Sequence, residues 1–309
     1  MEYLVIDVGG TNTKYAVMTE DCVFREKGRF KTITAPLDRF IHSIVSLYEK
    51  FRERVNGIAL SMPGILDSEV GFMYTGGMVT CIHNLNIVEL LSRYCPVPIS
   101  VENDAKCAGM AEIWRGSLMS CRDAVVVVCG SGIGGAVIKD RKVVKGVHHM
   151  AGEFSYQLTT AEEPYGERRM FGFSSGIASL IELASSKMDM PREELDGEVI
   201  FRDASNGNRQ AIEAVREYAR RIAVQITNYQ FILDPERIAV GGGISIQPLF
   251  LKLLKEELVK INRLYEKWQI PMPEVVACRY YNDSNLIGAL YVHLSTVDEG
   301  VVLENKERE

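Results

Sequence analysis

The stretch Tyr3-Leu4-Val5-Ile6-Asp7-Val8-Gly9-Gly10-Thr11-Asn12-Thr13-Lys14 decides the fold. A short apolar run reads as a buried strand, and this one ends in an acid followed by two glycines. Glycines permit positive φ and close backbone approach, so amide N–H groups can converge on phosphate oxygens. Thr11 and Thr13 add hydroxyl donors. Asp7, at the end of the strand, is expected to hold Mg²⁺ directly or through water. By itself the stretch also reads as a tight hairpin with an ordinary aspartate. Lys14–Met18 and Val23–Phe30 follow with rough alternation around Glu20-Asp21. The opening is thus strand, glycine turn, strand, turn, strand.

The pattern begins again at Ala124–Cys129, an apolar run followed by Gly130-Ser131-Gly132-Ile133-Gly134-Gly135 and a hairpin around Asp140-Arg141. This second turn superficially resembles a dinucleotide fingerprint. Its spacing differs, however, and a strand follows where that fingerprint needs a helix. A third turn, Gly241-Gly242-Gly243, joins the strand Ile238–Val240 to a helix, an arrangement that suits an anion or nucleoside and equally suits plain strand-to-helix packing. No Gly-x-x-x-x-Gly-Lys-[Ser/Thr] occurs. Helices are expected over Leu37–Arg54, Ile87–Tyr94, Gly176–Ser186, Gln210–Leu233, Pro248–Ile261 and Asn285–Leu294. The restart predicts a domain break near Arg115–Asp123, with a first α/β domain over 1–118 and a second over 119–309. The last helix is expected to pack back on the first domain.

Val101-Glu102-Asn103-Asp104-Ala105 joins a buried strand to a helix. Asn and Asp are ordinary helix caps. Asp104 also falls at the carboxyl end of a strand, where α/β proteins place ligands, and phosphoryl transfer to a hydroxyl needs a carboxylate to take its proton. Ser61-Met62-Pro63-Gly64 ends another strand and can bring backbone near a ligand. Asn84 reads as a loop residue with no structural duty, and Glu153 as an acceptor for hydroxyl hydrogen bonds; both are equally ordinary surface polar groups.

Composition narrows the class. A net charge of −6 disfavours a nucleic-acid partner. The seven cysteines form no Cys-x-x-Cys pair, so scattered free thiols in a reducing cytoplasm are expected. Met1 to Val8 lacks the features of a signal peptide, and no apolar run approaches membrane length.

Asp7-x-Gly-Gly-Thr, Met62-Pro63-Gly64, Val101-Glu102-Asn103-Asp104-Ala105, the turn Gly130–Gly135, Ala151-Gly152-Glu153 and Gly241-Gly242-Gly243 stand in the order and spacing of the ROK family (repressors, open reading frames, kinases), which the chain resembles from about residue 3 to 294. The resemblance implies a two-domain, actin-like ATPase fold of the ribonuclease-H-like sugar kinase, hexokinase and Hsp70 group. It implies ATP with Mg²⁺, a hexose-like substrate between the domains, and a homodimer. Asp104 is then the catalytic base, and Gly64, Asn84, Asn103 and Glu153 lie at the sugar. Asp7, Gly9, Gly10, Thr11, Asn12, Thr13, Ser131, Gly132, Ile133, Gly134, Gly242 and Gly243 form the nucleotide cradle.

The sequence departs from the usual family pattern at one place. Tyr156 stands where most members carry a histidine, and Tyr165–Gly172 lacks the cysteines of their zinc segment. No zinc site is expected, and the usual glutamate at the anomeric end has no counterpart. With Gly197-Glu198-Val199-Ile200-Phe201, Asp234-Pro235 and Asn282-Asp283-x-x-Leu286-Ile287-Gly288-Ala289, this resembles the zinc-free branch that includes bacterial β-glucoside kinases. Phosphorylation of O6 on a β-glucoside such as cellobiose is the expected reaction. Glucokinase, fructokinase and N-acetylmannosamine kinase are the alternatives, and a non-catalytic sugar sensor or repressor is the alternative of another class. The family's repressors carry an N-terminal winged helix, and none is expected before Tyr3.

Overall fold

The computed structural model describes residues 1–306, with side chains through residue 296. Its first strand, β1 (Glu2–Val8), is buried along nearly its whole length, as a strand covered on both faces must be. β1 pairs antiparallel with β2 (Asn12–Thr19), which pairs with β3 (Phe24–Lys31). In α1 (Leu37–Phe51), helical spacing puts Phe40, Ile41, Ile44, Leu47, Tyr48 and Phe51 on one buried face. That face meets Leu4, Ile6 and Leu60 in a single core, where each large apolar side chain contributes roughly 1.5–3 kcal/mol. β4 (Ile58–Met62) runs parallel to β1. A small three-stranded sheet follows, made of β5 (Leu66–Asp67), β6 (Phe72–Thr75) and β7 (His83–Asn86). Then come α2 (Ile87–Ser92), β8 (Ile99–Asn103) parallel to β4, and α3 (Asp104–Arg115). The large sheet has the order β3-β2-β1-β4-β8.

The second sheet repeats that order. β9 (Ala124–Cys129), β10 (Ile133–Lys139) and β11 (Lys142–Val143) form the antiparallel part. The helices α4 (Phe171–Ser175), α5 (Ile177–Met188), α6 (Gly197–Ser205) and α7 (Arg209–Leu233) follow. β12 (Arg237–Gly241) is parallel to β9, and after α8 (Pro248–Asn262), β13 (Glu274–Ala277) is parallel to β12. The result is β11-β10-β9-β12-β13. Val125, Val127, Ile238 and Val240 pack against Ala219 and Ile222 of α7 and Phe250 and Leu254 of α8. α7 stops where Asp234 adopts the left-handed conformation at φ 42° and Pro235 bars continuation. α9 (Ser284–Lys306) then packs on α3, β1, β4 and β8.

Two compact units result. The break expected between 118 and 119 falls after Arg115, and a single cut does not suffice. Lys145–Ala151 and the chain from Asp283 belong with Met1–Arg115, while Gly116–Val144 and Gly152–Asn282 form the second unit. The returns have physical causes. A Cβ at Gly288 would lie 1.7 Å from the Cys107 carbonyl oxygen, so only glycine lets α9 approach α3 this closely. His293 meets Tyr3 edge-to-face at 5.2 Å between ring centroids. Lys145 reaches Glu102 at 3.6 Å. The small β5–β7 sheet was not expected, and Asn84 lies in its last strand rather than in a loop. Among the described residues no helix is long and apolar enough to cross a membrane.

Candidate active site

Three parallel strands of the first unit end side by side, and their carboxyl ends carry polar groups that a buried sheet otherwise excludes. β1 ends with Asp7 opposite Ser61 of β4, and Met62 stands opposite Asn103 of β8. Asp7 is 5% exposed. Its Oδ1 accepts from Ser61 Oγ at 2.8 Å and from Asn285 Nδ2 at 3.0 Å, while Lys14 Nζ stands 3.8 Å from Oδ2. Burial pushes the carboxyl above its usual value, against the opposing pull of Asn285, Ser61 and Lys14. Sequence reasoning missed these three partners as site residues, although each lies in a stretch it singled out.

Asn103 is the hub of the neighbouring turn. Its Oδ1 accepts the N–H groups of Ala105 (3.0 Å) and Lys106 (3.1 Å), capping α3. Its Nδ2 donates to the Gly64 carbonyl at 3.0 Å. Gly64 has φ 96°, and a Cβ there would fall 2.2 Å from Thr75 O, so the position requires glycine. Asp104, half-buried in the first turn of α3, accepts the Ala105 N–H on Oδ1 at 2.7 Å. The Cys107 thiol is pushed well above its usual value by burial, then by the charges of Glu102, Asp7 and Asp104. Asn84 is exposed, with φ 47° and its amide against His83 Nε2 at 3.1 Å.

The first glycine turn leaves Gly10, Thr11 and Asn12 exposed, with Gly9 partly so. Thr13 is different, and the expectation that it donates to phosphate is corrected. It is 1% exposed, and its hydroxyl lies 3.0 Å from that of Thr32. Thr32 Oγ1 already donates to Gly9 O at 2.7 Å, so the shared bond takes its proton from Thr13. Thr13 therefore braces the turn from behind, and Thr32, which sequence reasoning overlooked, completes the brace.

The second and third glycine turns belong to the second unit. A pocket of about 470 Å³ opens there, walled by Gly130, Ile177, Asp196, Gly197, Phe201, Gly243, Ile244, Gln247 and neighbouring groups. Gly242 has φ 84°, and a Cβ on it would fall 2.0 Å from Cys129 O. The third turn thus lies directly over the end of β9. Of the predicted nucleotide residues in this unit, Gly243 lines the pocket, whereas Ser131, Gly132, Ile133, Gly134 and Gly242 do not. The α6 wall, Asp196 to Phe201, was foreshadowed only by the resemblance of Gly197–Phe201. Glu153 is also in this unit, after Gly152 at φ 84°. The segment from Gln157 to Phe171 is closed on itself by backbone and side-chain bonds. Thr159 N donates to Arg169 O at 2.8 Å and Phe171 N to Gln157 O at 2.7 Å, and Arg169 pairs with Glu162 at 2.8 Å.

Among the described residues no three His, Cys, Asp or Glu side chains gather to hold a metal ion. Mg²⁺ does not require such a cage, since it keeps several waters and binds through one or two carboxylates plus substrate phosphates. Asp7 fits that role, as a buried carboxyl whose charge its neighbours compensate only in part.

Paired sheets of identical order, each with a glycine turn at its first hairpin, define the class: the actin-like, ATP-dependent sugar kinases. The chain belongs to the ROK family, whose model matches residues 3–295. It is similar to a β-glucoside kinase of Klebsiella pneumoniae, 30% identical over 94% of this chain and 95% of that protein. It is similar to the structure of a ROK family protein from Streptococcus pneumoniae in complex with sucrose, 31% identical, covering 97% of this chain and 100% of that one with a TM-score of 0.84. The fold is shared with a ROK family glucokinase from Streptomyces griseus in complex with glucose and AMPPNP, 20% identical, covering 94% and 99% with a TM-score of 0.82.

Proposed function

We propose that this chain transfers the γ-phosphoryl group of ATP to O6 of a β-glucoside such as cellobiose, with Asp104 as general base. The observation that carries the reading is the placement of Asp104 on the capped first turn of α3, at the carboxyl end of β8. There its carboxylate accepts the proton of the attacking hydroxyl. The O6–H bond breaks as the O6–phosphorus bond forms, and the bond from phosphorus to the bridging oxygen breaks to release ADP. Asn103, Gly64, Asn84 and Glu153 orient sugar hydroxyls. The exposed turn of Gly10, Thr11 and Asn12 binds phosphate oxygens, Gly9 holding its shape through its N–H bond to Asn12 O at 3.1 Å, and the pocket at Gly243 takes the nucleoside. Magnesium held by Asp7, directly or through water, neutralises charge on the phosphates when bound. The β-glucoside choice is supported by the Klebsiella relative and by Tyr156, whose side chain is 54% exposed.

The test is ADP release with cellobiose, aryl β-glucosides, glucose, fructose, mannose and N-acetylmannosamine. Cellobiose-dependent turnover is expected, and Asp104→Asn is expected to lower it by roughly 10²–10⁴-fold. Turnover confined to free monosaccharides would overturn the acceptor, and near-full activity of Asp104→Asn would overturn the base. The homodimer implied by the resemblance is carried forward on one observation. Phe231, Ile232, Leu264 and Trp268 are exposed together with the ring chain Phe231–Tyr265–Trp268. Sedimentation velocity showing a monomer at micromolar concentration would discard it.

A further inference from the structure

We propose that Lys145 and Glu102 form a positioning pair that holds the Asn103–Asp104 turn in its reactive geometry. The pair acts on turnover rather than on ATP binding. The inference rests on the reading of Asp104 as the base.

Glu102 is the penultimate residue of β8 and is 3% exposed. Its two carboxylate oxygens have separate duties. Oε1 accepts the backbone N–H of Asn103 at 2.8 Å. Oε2 accepts from Ser68 Oγ at 2.9 Å and faces Lys145 Nζ at 3.6 Å. Lys145 Nζ also donates to Ser68 Oγ. A carboxyl group this deeply buried is costly without partners, and Glu102 has Lys145, Ser68 and the Asn103 amide around it.

The grip falls on the residue next to the proposed base. Asn103 has its N–H on Glu102, its Oδ1 on the first amides of α3 and its Nδ2 on Gly64. Asp104 is therefore carried on a turn held from three directions, and one of those holds depends on Lys145. Lys145 arrives on a segment that the sequence places far from β8, and the segment is pinned at its other end too. The His149 ring stacks on Tyr74 with centroids 5.7 Å apart, its Nε2 lies 3.6 Å from Asp67 Oδ2, and Ala151 N donates to Lys145 O at 3.1 Å. Catalysis is sensitive to such placement, since a misplacement of about 1 Å can cost on the order of 10²-fold in rate.

The experiment measures kcat, KM for ATP and melting temperature in Lys145→Met, Lys145→Arg and the double variant Lys145→Met/Glu102→Gln, with Asp104→Asn alongside. The double variant removes both charges and leaves no unpaired buried ion, so it stays informative if Lys145→Met fails to fold. Expected are a fall in kcat of roughly 10–100-fold in Lys145→Met and in the double variant, with KM for ATP within about threefold. Lys145→Arg is expected to recover most of the loss. A folded double variant with kcat within about threefold of the parent overturns the proposal, as does a loss carried by KM alone or an unrescued loss in Lys145→Arg. Near-full turnover in Asp104→Asn removes the base, and the positioning role with it. A failing pair beside an inactive Asp104→Asn leaves the base reading intact.

Discussion

The two large sheets share one strand order and differ where it matters most. In the first, β1 and β4 run out together on Asp7 and Ser61; in the second, β9 and β12 reach Val128 and Gly241 at the matching step. One end keeps a buried acid with three polar partners. The other ends on Val128 and Gly241, uncharged residues, and lets a glycine backbone come within contact distance of the strand, at Gly242 over Cys129. The same frame thus ends in two different ways, one on a buried acid and the other on close-packed backbone.

The largest test of this difference is Asp7→Asn. Turnover is expected to fall by roughly 10²–10³-fold, measured as cellobiose-dependent ADP release. Stability is expected to move the other way. The native state holds the Asp7 proton more tightly than the unfolded chain does. Its contribution is therefore lost as pH rises from the unfolded value of 3.8 through the raised folded one. The nucleotide-free variant should show a higher urea midpoint at pH 7, with the gain shrinking as pH falls toward 3.8. An unchanged midpoint would make the two strand ends electrostatically equivalent. Gly242→Ala tests the other end. It places a Cβ against Cys129 O at positive φ, and KM for ATP is expected to rise about tenfold while stability drops by about 1–3 kcal/mol. A normal KM for ATP would remove the third turn from the nucleotide site.

His293 tests the packing behind the acidic end. Burial holds it down to about 4, and its Nδ1 meets Ser100 Oγ at 2.9 Å. As pH falls below 6.5 the unfolded chain takes up a proton that the native state refuses until about 4, so stability is lost across that window. The loss amounts to about 3 kcal/mol, and His293→Gln should flatten it in urea titrations between those limits. The smallest effect is expected from Thr13→Val, which cuts the brace through Thr32. A cost of about 1 kcal/mol with an unchanged KM for ATP is expected. A large rise in that KM would return Thr13 to the phosphate site.

Much of this was legible in the sequence, and the failures share a cause. Apolar runs and glycine turns marked β1, β4, β8, β9 and β12, because a strand buried on both faces must be apolar throughout. Asn103 was legible as a cap and Asp104 as a strand-end acid. The small β5–β7 sheet was not, because two- and four-residue strands show no periodicity. Thr13 was misjudged because a hydroxyl's role depends on its partner, and Thr32 lies a whole hairpin away. The return of the last helix to the first unit was expected, but not the parts that Asn285 and Gly288 play in it. The return of Lys145 was not expected, because no local pattern encodes it.

That threading has a consequence for biosynthesis. The ribosome releases Asp7, Ser61 and Asp104 before the second unit, whereas Asn285 and the helix that covers β1, β4 and β8 come after it. Domains usually fold as they emerge, amino end first. Here the amino-terminal unit takes in α9, which follows the second unit in the chain. A chain cut short before α9 therefore keeps Asp7, Ser61 and Asp104 yet lacks the Asn285 amide on Asp7 and the helix that covers β1, β4 and β8.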